Sequence, residues 1–187
     1  MAGERRGPRN SAPPSDSAKR GPPSPGDAGG TGEPAAGSDL LVFRAGEERF
    51  ALPVSGLEAV IEMPPVRPLP GMPTGMLGVA ELRGSLIPVY SPERVLKVAV
   101  EEPAAAIVVR VAGTGRTAGA GRRIAIAISS AEGVTPYVPG FWTGVGGPAP
   151  RVGLVRGVSS FDGLLTTLVD GATFIAACID TSAADAA

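Results

Sequence analysis

Two stretches of twelve residues decide the fold: GVAELRGSLIPV at 78–89 and GVSSFDGLLTTL at 157–168. Each begins with Gly-Val, has a second glycine six residues after the first, and places aliphatic residues two and five positions further on. Apolar residues on both sides of a glycine-containing turn are typical of a short β-hairpin. Because the pattern occurs twice, the sequence predicts two similar small units within one chain.

A second repetition accompanies the first. SGLEAV at 55–60 is echoed by SSAEGV at 129–134, and each follows a strand-like segment, at 49–54 and 123–128 respectively. The two repetitions occur in the same order along the chain. They therefore predict two small β-barrels, each closing its own sheet edges, that pack together around a shared apolar seam.

Short apolar segments, separated by glycine, proline and charge, predict β-strands of about five or six residues. These segments lie at 40–44, 49–53, 57–61, 77–82, 85–90, 106–111, 123–128, 152–158, 164–169 and 173–178. A helix start is predicted at Ser91-Pro92-Glu93, with serine as the N-cap and proline in the first helical position. No apolar run approaches the ~20 residues of a membrane span, so we expect an all-β protein without direct membrane insertion.

The composition divides the chain into a tail and a domain. Residues 1–38 contain no Val, Ile, Leu, Phe, Trp or Tyr but seven prolines, eight glycines and five serines. Such a segment cannot bury enough apolar surface to offset chain ordering, about 1–2 kcal/mol per residue, and we expect it to be disordered. A proline-rich docking motif is the alternative, but no P-x-x-P stands between hydrophobic residues. We expect the domain at 39–180 and a short flexible tail at 181–187.

Charge and residue usage exclude several functions. The 17 Lys and Arg nearly balance the 18 Asp and Glu, so we expect no nucleic-acid partner. The chain has no histidine, which removes the commonest general base and metal ligand. Its one cysteine, Cys178, is interpreted as a small core residue. The sequences at Asp170 and Asp180 resemble the aspartic-protease loop only in part, and Asp170 is interpreted as a turn residue at a strand end. We therefore expect no catalytic site, cofactor or metal.

One arginine is a candidate binding residue. Arg83 lies between two apolar strand segments, and the following Gly84 and Pro88 predict a sharply turned, partly exposed edge. An arginine in such a position is suited to a carboxylate or backbone-carbonyl partner. A solvated surface arginine is the alternative interpretation.

These segments together resemble the CheW family of chemotaxis coupling proteins. The family begins with an apolar strand, a Gly-acidic turn and an aromatic residue with alternating apolar residues, here LVFRAGEERFALPV at 41–54. A proline-containing loop, Gly-Val, Asn-Leu-Arg-Gly and an apolar-Pro-Val segment follow in the family. The corresponding residues here are 70–73, 78–79, 81–84 and 87–89. The resemblance covers about residues 39–180.

The chain departs from the family pattern at four positions, which makes it a divergent member. Glu81 replaces the motif asparagine, Ala59 replaces the glutamate of V-x-E-V, Ser91 stands in place of an aspartate, and so does Ser129. The apolar spacing is intact, so the fold assignment is unaffected. Whether receptor coupling survives these changes is left open by the sequence.

The departure at Ala59 bears on Arg83. In the family, an acid at that position commonly faces the motif arginine. In its absence we expect Arg83 to pair with Glu58, Glu62 or Glu81, or to remain available for a partner.

The resemblance implies two packed five-stranded SH3-like barrels and a non-catalytic adaptor without a cofactor. CheW-like proteins connect chemoreceptor cytoplasmic tips to the regulatory domain of the histidine kinase CheA, which implies a cytoplasmic location at membrane-associated receptor arrays. By match to the family motif, the candidate partner-binding residues are Leu57, Val60, Leu82, Arg83 and Gly84. For the apolar ones, packing in the core is the alternative. The alternative function is an all-β ligand-binding module unrelated to chemosensory signalling.

Overall fold

The computed structural model describes residues 34–112, 121–144, 153–161 and 163–180. Most of the predicted N-terminal tail and all of the predicted C-terminal tail lie outside the described residues. Within the described ranges, the strands are β1 (Asp39–Ala45), β2 (Glu48–Pro53), β3 (Leu57–Glu62), β4 (Met76–Leu82), β5 (Ser85–Tyr90), β6 (Ala105–Val111), β7 (Arg122–Ile128), β8 (Ser130–Pro136), β9 (Val155–Phe161) and β10 (Leu164–Val169). The helices are α1 (Glu93–Leu96) and α2 (Gly171–Asp180). Neither helix in these ranges has the length and apolar character that a membrane crossing requires.

The strands form two sheets of five with the same connectivity. One sheet, here called barrel I, has the order β3-β6-β7-β5-β4, and the other, barrel II, has the order β8-β1-β2-β10-β9. In both, three antiparallel strands are joined to a two-stranded antiparallel hairpin by one short parallel pair, β5 with β7 and β10 with β2. The predicted all-β fold of two five-stranded units is confirmed, and the internal repeats mark equivalent elements of the two barrels.

Each sheet is closed at the same point by a two-hydrogen-bond bridge. In barrel I, Arg67 N–H donates to Val79 O (2.8 Å) and Val79 N–H donates to Arg67 O (3.0 Å). In barrel II, Thr143 and Val158 exchange the equivalent pair of bonds, both 2.9 Å long. Each bridge lies beside the valine of a repeated Gly-Val. Closing the sheet leaves fewer backbone groups unpaired at its edges.

The shared apolar seam that the sequence predicts lies between the barrels. Barrel II contributes the buried Phe43, Phe50 and Leu52, and barrel I contributes the buried Ile107 and Ile126. The rings of Phe43 and Phe50 stack with centroids 5.7 Å apart. Helices α1 and α2 pack against the same cluster through Leu96, Phe174 and Cys178. One continuous core therefore joins the two barrels.

The alternation of side-chain size along the central strands reflects two different environments. On β7 the isoleucines Ile124 and Ile126 belong to the seam, whereas Ala125 and Ala127 belong to the cluster inside barrel I. Successive strand residues point to opposite faces, so large residues fill the wide seam and alanines fill the narrow barrel. Because both faces are buried, these strands appear in the sequence as continuous apolar runs.

Strand β8 is not among the strands that the sequence predicts. Its sequence, SAEGVTP, is mostly exposed and contains Gly133 and Pro136, which favour a turn. It becomes a strand by antiparallel pairing with β1, from Ser130 opposite Arg44 to Pro136 opposite Asp39. The echo of 55–60 at 129–134 is the signal for it, since 57–60 lies in the equivalent strand β3.

The strand predicted at 173–178 is wrong, because this segment forms helix α2. Asp170 caps the helix: its Oδ1 accepts Thr173 N–H (2.9 Å), and its backbone O accepts Phe174 N–H (2.8 Å). Phe174 and Cys178, four residues apart, form the buried face. A short apolar run does not by itself distinguish a buried strand from a helix.

Two further expectations concern element boundaries. The strand predicted at 152–158 is observed as β9, which begins at Val155 and extends to Phe161, opposite Leu164 of β10. A helix does begin near the predicted start, but one residue later than expected: α1 begins at Glu93 and its N-cap is Pro92, not Ser91, although the Ser91 hydroxyl accepts the Glu93 N–H at 3.2 Å.

Candidate functional site

Arg83 lies at the tip of the β4–β5 hairpin, in a two-residue turn that connects Leu82 to its cross-strand partner Ser85. Arg83 has φ +50° and Gly84 has φ +76°, the signature of a type I′ turn, in which both central residues are left-handed. A positive φ is unfavourable for arginine by about 1–2 kcal/mol. Both residues are exposed. The turn therefore holds an arginine, in a strained conformation, away from the barrel.

A groove of about 740 Å³ opens beside this turn. Its walls come from strands β4 and β5 and from the proline-rich segment that follows β3, and they are lined by Pro65, Arg67, Leu69, Val79, Glu81, Arg83, Gly84 and Leu86. Leu86 is 74% exposed, the largest exposure among the large hydrophobic residues that the structure describes. The groove thus combines aliphatic surface with two arginines and one glutamate.

The remaining candidates from the sequence lie apart from this groove. Leu82 is partly buried and packs inside barrel I with Ala80 and Ile87. Leu57 is partly buried against the seam. Val60, on the same edge strand as Leu57, is 39% exposed. The structure therefore places Arg83 and Gly84 at the groove, Leu57 and Val60 on β3, and Leu82 in the packing beneath the turn.

Glu58, one of the acids expected near Arg83, has other partners. Its carboxylate accepts two bonds from Arg123, from Nε at 2.9 Å and from Nη2 at 2.7 Å, and a longer one from Arg110 at 3.3 Å. The hydrogen bond from Arg123 has the largest effect on the pKa of Glu58. Together with the charges of Arg123 and Arg110 it outweighs desolvation, so the pKa of Glu58 is lowered. Among the described residues, the guanidinium of Arg83 has no hydrogen-bond or ion-pair partner.

A β-bulge explains the position of Glu58. In the pairing of β3 with β6, Leu57 is opposite Val109 and Ala59 is opposite Val108, so Glu58 is the extra residue. Arg110 and Arg123 face each other across β6 and β7. Like charges opposite each other are unfavourable, and the bulged glutamate between them offsets that repulsion.

Barrel II contains the same cluster at the equivalent positions. Glu132 is the extra residue of a bulge in β8, between Ala131 and Gly133. It is bonded to Arg49 and lies 3.8 Å from Arg44, and these two arginines face each other across β1 and β2. In each barrel, the repeated Ser-x-x-Glu therefore marks a β-bulge whose glutamate lies between two facing arginines.

Six lining residues of the groove are not among the partner-binding residues that the sequence predicts: Pro65, Arg67, Leu69, Val79, Glu81 and Leu86. The pattern predicts Leu86 only as one of the apolar residues of a strand. Its equivalent in the second repeat, Leu165, is also exposed, at 68%. Two aliphatic residues of the repeated pattern thus lie on the surface, which single-strand periodicity does not reveal.

The reactive groups outside the groove have structural roles. Burial raises the pKa of the Cys178 thiol to about 12, so it stays protonated at neutral pH. Asp170 is bonded to Arg156 at 2.7 Å. Burial raises the pKa of Asp170, but the bonds from Thr173 and Arg156 outweigh it, and the net pKa is lowered. No cluster of three or more metal-ligating side chains occurs in the described part of the chain.

The comparisons with known proteins agree with this architecture. The chain matches the model of the CheW-like domain over residues 39–177. The chemotaxis protein CheW of Rhizobium meliloti (strain 1021) is 30% identical over 76 residues, which are 41% of this chain and 49% of that protein, so the match spans about half of this relative. The crystal structure of the scaffolding protein TtCheW from Thermoanaerobacter tengcongensis superimposes with a TM-score of 0.57 at 17% identity, over 71% of this chain and 88% of that one. At that identity the likeness concerns the fold. Because the family model covers most of the chain, including both barrels, the protein belongs to the CheW-like domain family.

Proposed function

We propose that this protein is a non-catalytic adaptor that couples chemoreceptor cytoplasmic tips to the regulatory domain of the histidine kinase CheA, in the cytoplasm at receptor arrays. The observation that carries the proposal is the guanidinium of Arg83, which lies beside a preformed groove and has no partner within the part of the chain that the structure describes. The chemotaxis and scaffolding roles in the names of the two relatives support it. Glu58, which could have neutralised Arg83, is bonded to Arg123 instead.

The groove defines the chemistry of the partner surface. Leu69, Val79 and Leu86 offer aliphatic contact, and Arg67 and Arg83 offer charge-assisted hydrogen bonds. A protein surface that presents a carboxylate next to aliphatic side chains fits both features. Such an arrangement favours a few strong anchor residues over a large number of equal contacts.

The strained turn is consistent with a binding role for Arg83. A glycine would satisfy the left-handed conformation at this position without strain. Retaining a strained arginine is typical of positions where function outweighs local stability. Gly84 completes the turn and Leu82 anchors it in barrel I, so both are proposed to position Arg83, whereas Leu57 and Val60 on β3 are proposed as further contacts.

The direct test is isothermal titration calorimetry with two purified partners, a receptor cytoplasmic-tip fragment and the CheA regulatory domain. The wild-type chain is expected to bind both partners. Arg83→Ala is expected to weaken binding to at least one of them by about 1–3 kcal/mol, as loss of a charge-assisted anchor typically does. It should change the free energy of unfolding by less than about 1 kcal/mol, because the side chain is exposed.

Arg122→Ala is the matched control. Arg122 is also exposed and lies outside the groove, so its removal deletes the same charge without changing the site. It should leave the affinity unchanged. If wild type binds neither partner, the adaptor proposal is wrong, and a search for small-molecule ligands of the barrels becomes the next step. If both variants lose affinity equally, net charge rather than the groove is responsible, and the assignment of Arg83 is wrong.

A further inference from the structure

Barrel II carries a partly exposed aromatic surface that is separate from the groove of barrel I. We call Val138, Phe141, Trp142 and Phe161 the aromatic patch. The ring of Phe161 contacts both others, with its centroid 5.0 Å from that of Phe141 and 5.3 Å from that of Trp142. Phe141 is 47% exposed and Val138 is 53% exposed. Trp142 and Phe161 are partly buried, and Trp142 also packs against the buried cluster of Leu40, Ala51, Tyr137 and Leu168, so the exposed part of the patch is formed by Val138 and Phe141.

The backbone of the patch is held by hydrogen bonds. Phe141 N–H donates to Val138 O (3.2 Å), and the Ser159 hydroxyl donates to Phe141 O (2.8 Å). Phe161 O accepts a bond of 2.9 Å from Nη1 of Arg49. The exposed ring of Phe141 is therefore presented on a fixed support, and binding to it requires little ordering of the barrel.

The N-terminal segment joins the domain beside this patch. Gly37 N–H donates to Tyr137 O (3.1 Å), and Tyr137 N–H donates to Ser38 O (2.7 Å), which continues the pairing of β1 with β8. Tyr137 is directly followed by Val138, the first residue of the patch. The chain that precedes Gly37 thus leaves barrel II next to the aromatic patch.

The composition of residues 1–33 fits an aromatic surface. Six prolines are the only side chains with a ring, and there is no Val, Ile, Leu, Phe, Trp or Tyr. Prolines are densest at Pro22-Pro23-Ser24-Pro25. Proline-rich segments favour the polyproline II conformation, which binds aromatic surfaces at low cost in conformational entropy. Between Pro25 and Pro34 the chain can span up to about 30 Å, ample to return to the patch.

We propose that the segment 22–25 docks on the aromatic patch of its own chain. The segment lacks the flanking hydrophobic residues that would give affinity for a separate protein. That deficit matters less within one chain, because a short tether supplies an effective concentration in the millimolar range. The docked segment contacts Phe141, the exposed ring of the patch. This inference does not depend on the proposed adaptor function.

The test uses the only tryptophan of the chain, Trp142, which lies within the patch. The full-length variant Pro22→Ser/Pro23→Ser/Pro25→Ser is compared with wild type by acrylamide quenching of tryptophan fluorescence. We expect the variant to show a higher quenching constant and a red-shifted emission, because the patch is uncovered. A synthetic peptide of residues 19–28, added to the variant at a millimolar concentration that matches the effect of the tether, should reverse both changes.

The matched control is the full-length variant Pro8→Ser/Pro13→Ser/Pro14→Ser, which removes the same number of prolines from the same segment. It should behave like wild type. All six positions precede the described domain, so the substitutions leave both barrels unchanged. Identical quenching in wild type and in both variants would overturn the proposal, and so would an equal effect of the two triple variants. If the wild-type fluorescence changes only when the CheA regulatory domain is added, the patch is a partner surface, and docking of the tail is wrong.

Discussion

Closure of barrel I can be tested by a single methyl group. Gly78 adopts φ +149°, and a Cβ at this position would lie 2.3 Å from the carbonyl oxygen of Arg67 and 2.7 Å from its carbonyl carbon. Both atoms belong to the backbone that forms the bridge with Val79. Neither can move without breaking the two hydrogen bonds that close the sheet. Gly78→Ala is therefore expected to open the barrel at this point.

Three contributions determine the magnitude. The left-handed backbone disfavours alanine by about 1–2 kcal/mol. Relief of the overlap adds about 1–3 kcal/mol, and loss of the two bridge bonds adds about 1 kcal/mol each. We expect Gly78→Ala to lower the free energy of unfolding by roughly 4–7 kcal/mol, a large share of the roughly 5–15 kcal/mol typical of a domain.

Two other glycines separate these contributions. Gly56 has φ +92°, and a Cβ added there would meet no atom within 4 Å, so Gly56→Ala introduces the backbone strain alone. Gly157, the barrel II equivalent of Gly78, would place a Cβ 3.1 Å from Thr143 O without a left-handed φ, so Gly157→Ala introduces mild crowding alone. Each should destabilise by about 1–2 kcal/mol.

The assay is equilibrium urea unfolding of the three variants and wild type, followed by far-ultraviolet circular dichroism. Gly78→Ala is expected to lower the free energy of unfolding by much more than Gly56→Ala or Gly157→Ala. If Gly78→Ala loses no more than Gly56→Ala, the bridge between Arg67 and Val79 does not hold the barrel closed, and the reasoning is wrong.

Four further predictions concern charges and the tail. Glu132→Gln should lower the melting temperature more than Glu58→Gln, because the arginines around Glu132 are less exposed, 13% and 29% against 31% and 58%; equal shifts in calorimetry would contradict this. Because the pKa of Asp170 is lowered in the folded state, its carboxylate stabilises the fold. This contribution is fully present at pH values above the unfolded pKa of about 3.9, and it is lost as the pH falls through the lower pKa of the folded state. Wild type should therefore lose stability faster than Asp170→Asn below about pH 4 in urea titrations, and parallel curves would exclude this role. Arg83→Gly should raise the free energy of unfolding by about 1 kcal/mol by relieving the positive φ while it weakens partner binding, and a loss of stability would refute the strained turn. Deletion of residues 1–33 should lower the melting temperature by no more than a few degrees, because the segment has no Val, Ile, Leu, Phe, Trp or Tyr to bury and docking of residues 22–25 covers little apolar surface; a larger drop in calorimetry would mean that more of the segment packs on the domain.

The sequence alone was sufficient to predict two similar β-barrels, because the same pattern of glycine and apolar residues occurs once in each half of the domain. Gly78-Val79 and Gly157-Val158 mark the two closure points, and the order of the repeats predicts two equivalent barrels. These signals are local, since a hairpin turn and a glycine beside a bridge depend on residues close together in the chain. The same is true of Arg83, whose position between two strands and before Gly84 identifies it as an exposed turn residue.

The tertiary structure decided what depends on contacts between distant segments. Strand β8 is too polar to be recognised alone and is a strand because β1 lies beside it. The segment 171–180 becomes a helix because Asp170 caps it and Phe174 meets the seam. Glu58 is bonded to Arg123, 65 positions away, because a bulge turns its side chain toward β7. Those contacts leave Arg83 unpaired among the described residues. Strand periodicity reports which face a residue occupies, but which arginine a glutamate meets depends on how the sheet closes.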